Sequence, residues 1–321
     1  MSTSAKVIAD SVSPQGVRLS TFRVTLHRFV LAELNTHRTL SRNSASSRAI
    51  PVRKQIDQVA DNLAWPVSWP AEQKGMQGGQ ELPEMAREDA MVDWEFASRD
   101  ALHRARNQFE RGLHKSVTNR LLEPFMWHTV VLTATAWENF FAQRLDADAQ
   151  PEIRVAAEAM KAAMDASTPV RLDEGQWHLP YVIDDEETSK QVFARPDVQS
   201  DEAFWSLLTK ISAARCARVS YLTQEGKRDI QADLDLYDRL ITSRAGSGKP
   251  LHWSPLEHVA TPWDWNRQEG CIHFGQDPAL VGIEDTFDCV PLDHLPRTGN
   301  LLGWRSLRTE VEASMHERTY R

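Results

Sequence analysis

Two hydrophobic periods alternate along the first half of the chain. Alternation of apolar and polar residues predicts a strand through Leu19, Phe22, Val24 and Leu26. The apolar positions between 29 and 34 then follow at helical spacing. The stretch 129–136 is rich in β-branched residues, which predicts a buried strand. Helices are predicted over 84–112, over 148–167 with Pro151 near the first turn, from 207 and over 229–243.

Polar segments separate these elements and suggest how the chain is organised. The Ser/Arg-rich stretch 36–54 is too polar for core, and we expect a functional loop there. Pro, Asp, Glu and Ser concentrate between 168 and 201, where we place a surface linker. We therefore divide the chain into a first part, a linker or clasp, and a second part that completes one domain, at 1–162, 163–210 and 211–321. We expect 263–300 to be irregular.

Composition and charge exclude several classes of protein. The 321 residues carry a net charge of −8, 41% are hydrophobic and 26% are charged, as in an ordinary globular protein. An acidic balance argues against nucleic-acid binding by bulk charge. Three cysteines without CxxC spacing exclude a disulfide framework. No apolar run is long enough to cross a membrane and no signal peptide is visible, so we expect a cytoplasmic protein without a membrane partner.

Three short segments hold the candidate chemistry. The segment from His37 to Arg48 concentrates guanidinium and hydroxyl donors suited to a phosphate, although a solvated basic loop is an equal alternative. Ser254 and Glu257 in HWSPLEH have capping-box spacing for a helix start. The histidines of that segment are six apart across a proline, which is not a zincin arrangement, and we expect no metal. In ENFFAQR, the aromatic pair predicts core and its polar neighbours could line a pocket.

Together these segments resemble one family. HRTLSRNSASSR resembles the signature loop RHRxxSxNExSxRY of the flavin-dependent thymidylate synthases. ENFFAQRLDADAQPEI resembles the family's NFLxLRxxxxAQxEI, and ARVSYL with LHWSPLEHV resembles its ARVS and GHxSPFEH segments. Here the last two follow the signature loop instead of preceding it, so the chain is similar to a circularly permuted member. The resemblance implies an α+β (mixed α/β) fold with a twisted, mainly antiparallel sheet flanked by helices.

The resemblance also implies a function and a set of residues. Family members are homotetramers that hold FAD and dUMP between subunits, and NADPH and methylenetetrahydrofolate are co-substrates for C5-methylation. The residues implied near FAD are His37, Arg38, Asn139, Ser220, Ser254, Glu257 and His258. Those implied to hold the nucleotide are Glu33, Ser46, Ser47, Arg48, Arg120 and Arg144. His252 and Arg144 are the implied catalytic residues, Arg144 as a fixed cation for charge developing on the base.

Departures from the family pattern leave the substrate open. Thr36, Ser44 and Ala49 replace the first Arg, the Glu and the Tyr of the signature, and Glu33 replaces a Gln. Thr133 and Thr135 stand where Asn and Arg are usual near the flavin. A carboxylate at position 33 favours a cytosine amino group and hence dCMP.

The alternative is that Glu33 pairs with an arginine while Arg305 or Arg308 supplies the missing cation; weighing this more heavily, we expect dUMP. A hydroxymethyl product and a non-catalytic nucleotide-binding homologue remain alternatives. A cysteine-dependent synthase is disfavoured, because no activated-thiol context surrounds Cys216, Cys271 or Cys289.

Overall fold

The computed structural model describes residues 2–223, 228–241, 252–263 and 295–319, with side chains in the last range up to 314. Its centre is a five-stranded sheet in the order β3-β4-β2-β1-β5. The strands are β1 Ser4–Val12, β2 Arg18–His27, β3 Ser41–Ser44, β4 Trp127–Ala134 and β5 Val170–Arg171. All pairings are antiparallel except the short β1–β5 pair. The predicted α+β class with a mainly antiparallel sheet is confirmed.

Helices cover both faces of this sheet. The α-helices are α1 Leu31–Asn35, α2 Val52–Asp61, α3 Glu84–Glu110, α4 Lys115–Thr118, α5 Glu138–Arg144, α6 Pro151–Asp165, α7 Glu186–Phe193, α8 Asp201–Ala217, α9 Ile230–Ile241 and α10 Leu307–Thr319. The 3₁₀ helices are Arg28–Val30, Asn119–Phe125, Arg218–Tyr221 and Ser254–His258. Two further strand pairs join β6 Ala260–Pro262 to β9 Trp304–Ser306, and β7 Arg297–Thr298 to β8 Leu301–Leu302.

The alternation along β2 decides which helices each face receives. Phe22, Val24 and Leu26 are almost completely buried against α5 and α6, in a cluster that includes Ile153. The neighbouring positions point to the opposite face, where Val219 of the 3₁₀ helix after α8 packs. A strand buried on both sides therefore places polar residues such as Thr21 inside the molecule.

The predicted strands near 19–26 and 129–136 and the predicted helices are confirmed, but β1, β3 and the short strands β5 to β9 were not predicted. β1 was not predicted, because Ala, Asp and Ser weaken its alternation. The stretch 36–54 is not one loop, since it contains β3 and the start of α2. Its polar residues are buried there because β4 and the segment around Ser254 cover them.

The segment 163–210, predicted to be a linker or clasp, is buried in several places. His178 is fully buried, Leu179, Val182 and Val192 join the cluster around α8 and α9, and α7 lies wholly inside this segment. The division into parts stays a prediction. Most of the predicted irregular segment 263–300 lies outside the described residues, while β7 begins at Arg297.

Within the described ranges, no helix combines the length and apolar composition that crossing a bilayer requires. The same ranges contain no cluster of His, Cys, Asp and Glu able to hold a metal ion.

Candidate functional site

His37 and Arg144 come from two separate sequence segments and meet directly. Arg144, the last residue of α5, donates from Nε to His37 Nε2 at 2.8 Å and from Nη2 to Thr36 Oγ1 at 3.1 Å and the Glu33 carbonyl at 3.3 Å. The His37 ring is buried and meets Phe140 edge-on, with centroids 5.0 Å apart. The guanidinium is thus fixed against the loop.

Burial, followed by the charges of Arg144 and Arg42, lowers the pKa of His37. The imidazole is therefore neutral at pH 7, with Nε2 accepting from Arg144 and Nδ1 carrying the proton. A neutral histidine leaves the positive charge of this site on Arg144.

Asn43 joins the signature loop to the two segments near the end of the chain. Its Nδ2 donates to the Cys216 carbonyl at 2.8 Å, and its Oδ1 accepts from Ser254 Oγ at 3.3 Å. Ser254 has one hydroxyl proton, so His252 Nδ1, 3.1 Å away, donates to Ser254. His252 Nε2 is then the unprotonated nitrogen, and partial desolvation lowers the pKa of this imidazole.

Asn43 was not predicted as a site residue, although it stands in the signature. Its role depends on contacts with residues 173 and 211 positions away, which a local pattern does not reveal.

The second half of the loop is held by a carboxylate that sequence reasoning missed. Glu123 Oε1 accepts from Ser47 Oγ at 2.6 Å, from Arg120 Nη1 at 2.6 Å and from Arg28 Nη2 at 3.1 Å. Glu123 is paired with two guanidiniums. An anion can therefore bind to this cluster while Glu123 continues to hold Ser47. Arg48 is exposed nearby in sequence.

The backbone N–H of Ser46 donates to the Ser220 carbonyl at 3.1 Å, which docks ARVS on this loop. The structure thus brings the signature loop together with all three of the other motif segments.

His258 is not at the surface site but in the core. It is fully buried, and its Nδ1 is 2.7 Å from Thr133 Oγ1. Thr133 continues at 2.7 Å to Thr21, and Thr21 at 2.8 Å to His178 Nε2. Ser11 ends this buried chain, with Oγ 2.8 Å from His178 Nδ1.

The capping box predicted at Ser254 and Glu257 is wrong. Trp253 caps the 3₁₀ helix without a side-chain bond, Ser254 turns to Asn43, and Glu257 binds Arg308 Nη1 at 2.5 Å. Arg308 also donates to Glu312, so it does not replace the missing cation of the loop in these contacts.

The remaining predicted residues lie at the edge of the site formed by His37 and Arg144. Arg38 and Asn139 are exposed, and Asn139 Oδ1 accepts from Gln143. Glu33 contacts Arg144 through its carbonyl, whereas its buried Oε2 has no hydrogen-bond partner among the described residues. The expected side-chain pairing of Glu33 with an arginine is therefore not among the described contacts.

The C-terminal hairpin closes one side of the region. The Leu302 N–H donates to Thr135 Oγ1 at 3.0 Å, and Asn300 Nδ2 donates to Ser41 Oγ at 3.2 Å. The small threonine that replaces the family's arginine is thus the hairpin's anchor. A cavity of about 270 Å³ opens beside it, between Ser41, Glu257 and Arg308.

Comparison with known proteins agrees with the first two motifs. Residues 12–170 match the family described as thymidylate synthase complementing protein. No curated protein matches the chain. Among solved structures, the UMP/dUMP methylase PolB from Streptomyces cacaoi, bound with 5-Br dUMP, is 16% identical with a TM-score of 0.42, covering 51% of this chain and 90% of that one. The same protein bound with 5-Br UMP gives 17% identity and a TM-score of 0.41, covering 51% and 89%.

The matched range contains the signature loop and the ENFFAQR and AQPEI segments. ARVS and HWSPLEH lie beyond it, so the permuted order stays a prediction, supported by their contacts with the loop. Through residues 12–170, the chain belongs to the thymidylate synthase complementing protein family.

Proposed function

We propose that this protein is a flavin-dependent thymidylate synthase that methylates C5 of dUMP, with methylenetetrahydrofolate as carbon donor and NADPH as reductant. The observation that carries the proposal is the 2.8 Å contact of Arg144 with His37, which unites the two motif segments of the matched range. Asn43 and Ser46 attach the two later motifs to the same loop.

The nucleotide would bind along the second half of the loop. Arg48 and Arg120 are exposed and can approach a phosphate, while Ser46 and Ser47 add hydroxyl donors. The fixed guanidinium of Arg144 is suited to stabilise negative charge that develops on the pyrimidine carbonyl during attack. His252, neutral and with Nε2 unprotonated, is positioned by Ser254 to accept or return a proton.

The residues around His37 suit a flavin site. Glu257 and His258, which were also expected near the flavin, do not. Exposed Arg38 and Asn139 provide polar donors beside Arg144, as a dinucleotide needs, and these residues with His37 would hold FAD. Glu257 is engaged by Arg308, and His258 is inside the core. FAD held there would supply the hydride for completing the methyl group, with NADPH as its reductant.

The proposal includes the homotetramer that the family resemblance implies. In such an assembly, exposed residues of this loop would face a neighbouring subunit.

The test combines binding and turnover on the full chain. We expect protein-dependent changes in FAD absorbance and formation of dTMP from dUMP, methylenetetrahydrofolate and NADPH. Arg38→Ala should weaken FAD binding, whereas Arg154→Ala is the matched control, because this half-buried residue of α6 pairs with Glu158 and not with the loop. FAD binding without turnover on any pyrimidine nucleotide would indicate the non-catalytic homologue; absence of FAD binding would refute the flavoenzyme.

A second candidate substrate is favoured by one observation. The buried, unpartnered Oε2 of Glu33 is an acceptor that the amino group of cytosine could satisfy. dCMP should therefore be assayed in parallel, with the product analysed for a methyl or a hydroxymethyl group. A preference for dCMP that Glu33→Gln reverses would replace dUMP as substrate and leave the flavin chemistry standing.

A further inference from the structure

Helix α3 has an apolar stripe on the side that faces away from the protein. Met85, Val92 and Phe96 are 75%, 48% and 61% exposed. Val92 and Phe96 follow Met85 by seven and eleven residues, close to two and three turns of about 3.6 residues, so the three side chains line up along the helix. The opposite side of α3 buries Leu102 and Ala105 against α2. The apolar stripe is therefore outside the core, and a continuous exposed row of this kind marks an interaction surface.

A row of four charges runs beside the apolar stripe, and we call it the charged flank. Glu88 and Glu95 occupy it in the first half of α3, and Arg99 and Arg106 occupy it in the second half. At about 100° per residue, the four positions fall within about 40° of one another and lie about 60° to one side of the apolar stripe. Glu88, Arg99 and Arg106 are exposed, and Glu95 is half-buried.

The charged flank is symmetric about the middle of the helix, with the sign of the charge inverted. The midpoint of α3 is position 97. Glu95 and Arg99 are each two residues from it, and Glu88 and Arg106 are each nine residues from it. A second copy of α3 that packs antiparallel across a two-fold axis at this midpoint brings the two charged flanks side by side. Glu88 then faces Arg106 of the second copy, and Glu95 faces Arg99 of the second copy.

The helix macrodipole accounts for charges at the ends of α3 but not for those at its centre. Its effect on acidic and basic side chains is confined to the first and last turns. Glu95 and Arg99 each stand eleven residues from the nearer end of α3. Within one chain they form an ion pair of 2.5 Å, with Glu95 42% and Arg99 64% exposed. In the paired helices the two ion pairs join into a network of four charges, and a network contributes more than isolated exposed pairs do.

Phe96 supplies an apolar centre for the paired helices. It lies one residue from the midpoint of α3, so at about 1.5 Å per residue the two copies of Phe96 are offset by about 3 Å along the helix axes. The Arg99 guanidinium carbon lies 5.8 Å from the centroid of the Phe96 ring in the same chain. Aromatic and arginine side chains are the types enriched at protein interfaces.

We propose that α3 is a self-association surface, on which a second copy of this chain docks antiparallel through the apolar stripe and the charged flank. Two-fold symmetry supplies each contact twice, and a crossing angle of about 20° keeps the helices adjacent over several turns. No residue of the apolar stripe or the charged flank belongs to the loop site, so the proposal does not depend on the proposed function. A homotetramer assembled without α3 would contradict it.

Reversing half of the charged flank gives two complementary variants for the test. Arg99→Glu/Arg106→Glu makes the flank wholly acidic, and Glu88→Arg/Glu95→Arg makes it wholly basic. Like charges opposed across the two-fold axis should raise the dissociation constant of the α3 interface by about tenfold or more in each variant alone. In sedimentation equilibrium of the full chain, the parent should have the mass of two or more copies and each variant half of the parent mass. An equimolar mixture of the two variants should return to the parent mass.

Arg171→Glu/Lys190→Glu is the matched control, because it changes the net charge as much as the acidic variant does, at exposed positions of β5 and α7. It should keep the parent mass. Thermal unfolding of each variant shows whether it is folded. A monomeric parent, an unchanged mass in both charge-reversed variants, or a loss of mass in folded variants that mixing does not restore would overturn the proposal.

Two further measurements decide the proposal if the charge-reversed variants do not fold. The parent should dissociate as sodium chloride is raised, because salt screens exposed ion pairs. Phe96→Ser should halve the parent mass, since it removes the apolar centre. A parent mass that neither sodium chloride nor Phe96→Ser changes would overturn the proposal.

Discussion

Mild acid should unfold this protein, because three histidines are buried as neutral groups. His128, His178 and His258 are at most 1% exposed, and burial lowers the pKa of each to about 3. In an unfolded chain a histidine titrates near about pH 6.5. As the pH falls below that value, the unfolded state binds protons that the native state does not bind. Stability is therefore complete above about pH 6.5 and is lost progressively toward about pH 3.

The size of the effect follows from these values. Each pKa unit corresponds to about 1.4 kcal/mol, so at pH 5.5 the three groups together cost about 4 kcal/mol. Below that pH, three protons taken up on unfolding give a slope of about 4 kcal/mol per pH unit. A domain with about 5–15 kcal/mol of stability would lose most of it between about pH 5 and pH 4.

Urea unfolding followed by tryptophan fluorescence, repeated from pH 8 to pH 4.5, measures this slope. His128→Gln should lower the slope by about one third, because one of the three titrating groups is removed. Among the described residues Nε2 of His128 has no hydrogen-bond partner, so the substitution breaks no described bond at that atom. His103→Gln on the exposed side of α3 is the control and should leave the slope unchanged. A free energy of unfolding that stays constant from pH 7 to pH 5 would refute the reasoning, as would an unaltered slope in His128→Gln.

Three further predictions follow from single contacts. Arg144→Gln should weaken dUMP binding by about 1.5–3 kcal/mol in calorimetry and raise the pKa of His37 in an NMR titration, because a charge-assisted donor and a nearby positive charge are lost. Asp233→Asn should lower the free energy of unfolding by about 3–5 kcal/mol in urea, since Asp233 is completely buried between two arginines. Cys216→Ala should retain turnover, because burial raises the pKa of this thiol and keeps it from acting as a nucleophile.

Each of these has a matched control and a contrary outcome. Arg154→Gln should leave dUMP binding unchanged. If Arg144→Gln binds dUMP as tightly as Arg154→Gln does, the nucleotide pocket does not lie at Arg144. Asp238→Asn, on the exposed side of α9, should cost little; a similarly small loss in Asp233→Asn would mean that the buried network is dispensable. Loss of chemistry in a folded Cys216→Ala protein would restore a covalent mechanism.

Local pattern was sufficient for the parts of the fold that follow from chain-local forces. Alternation through Phe22 and Val24 fixes β2, because a strand turns successive side chains to opposite faces. Pro151 and the alanines after it start and sustain α6 for equally local reasons. Motif spacing also named His37 and Arg144, which the structure joins.

Tertiary structure decided what those residues touch. Glu123 holds Ser47 across 76 positions, and the buried chain from Thr133 to His258 spans 125. Lys6 and Arg23 become opposed only through strand register. Neither the burial of His178 nor that of β3 has a local signature, because burial depends on which distant elements cover a segment. The hydrophobic period of a segment reflects only the element to which its residues belong. Hydrogen-bond partners and cavities form where separate elements meet, and a local pattern does not specify which elements those are.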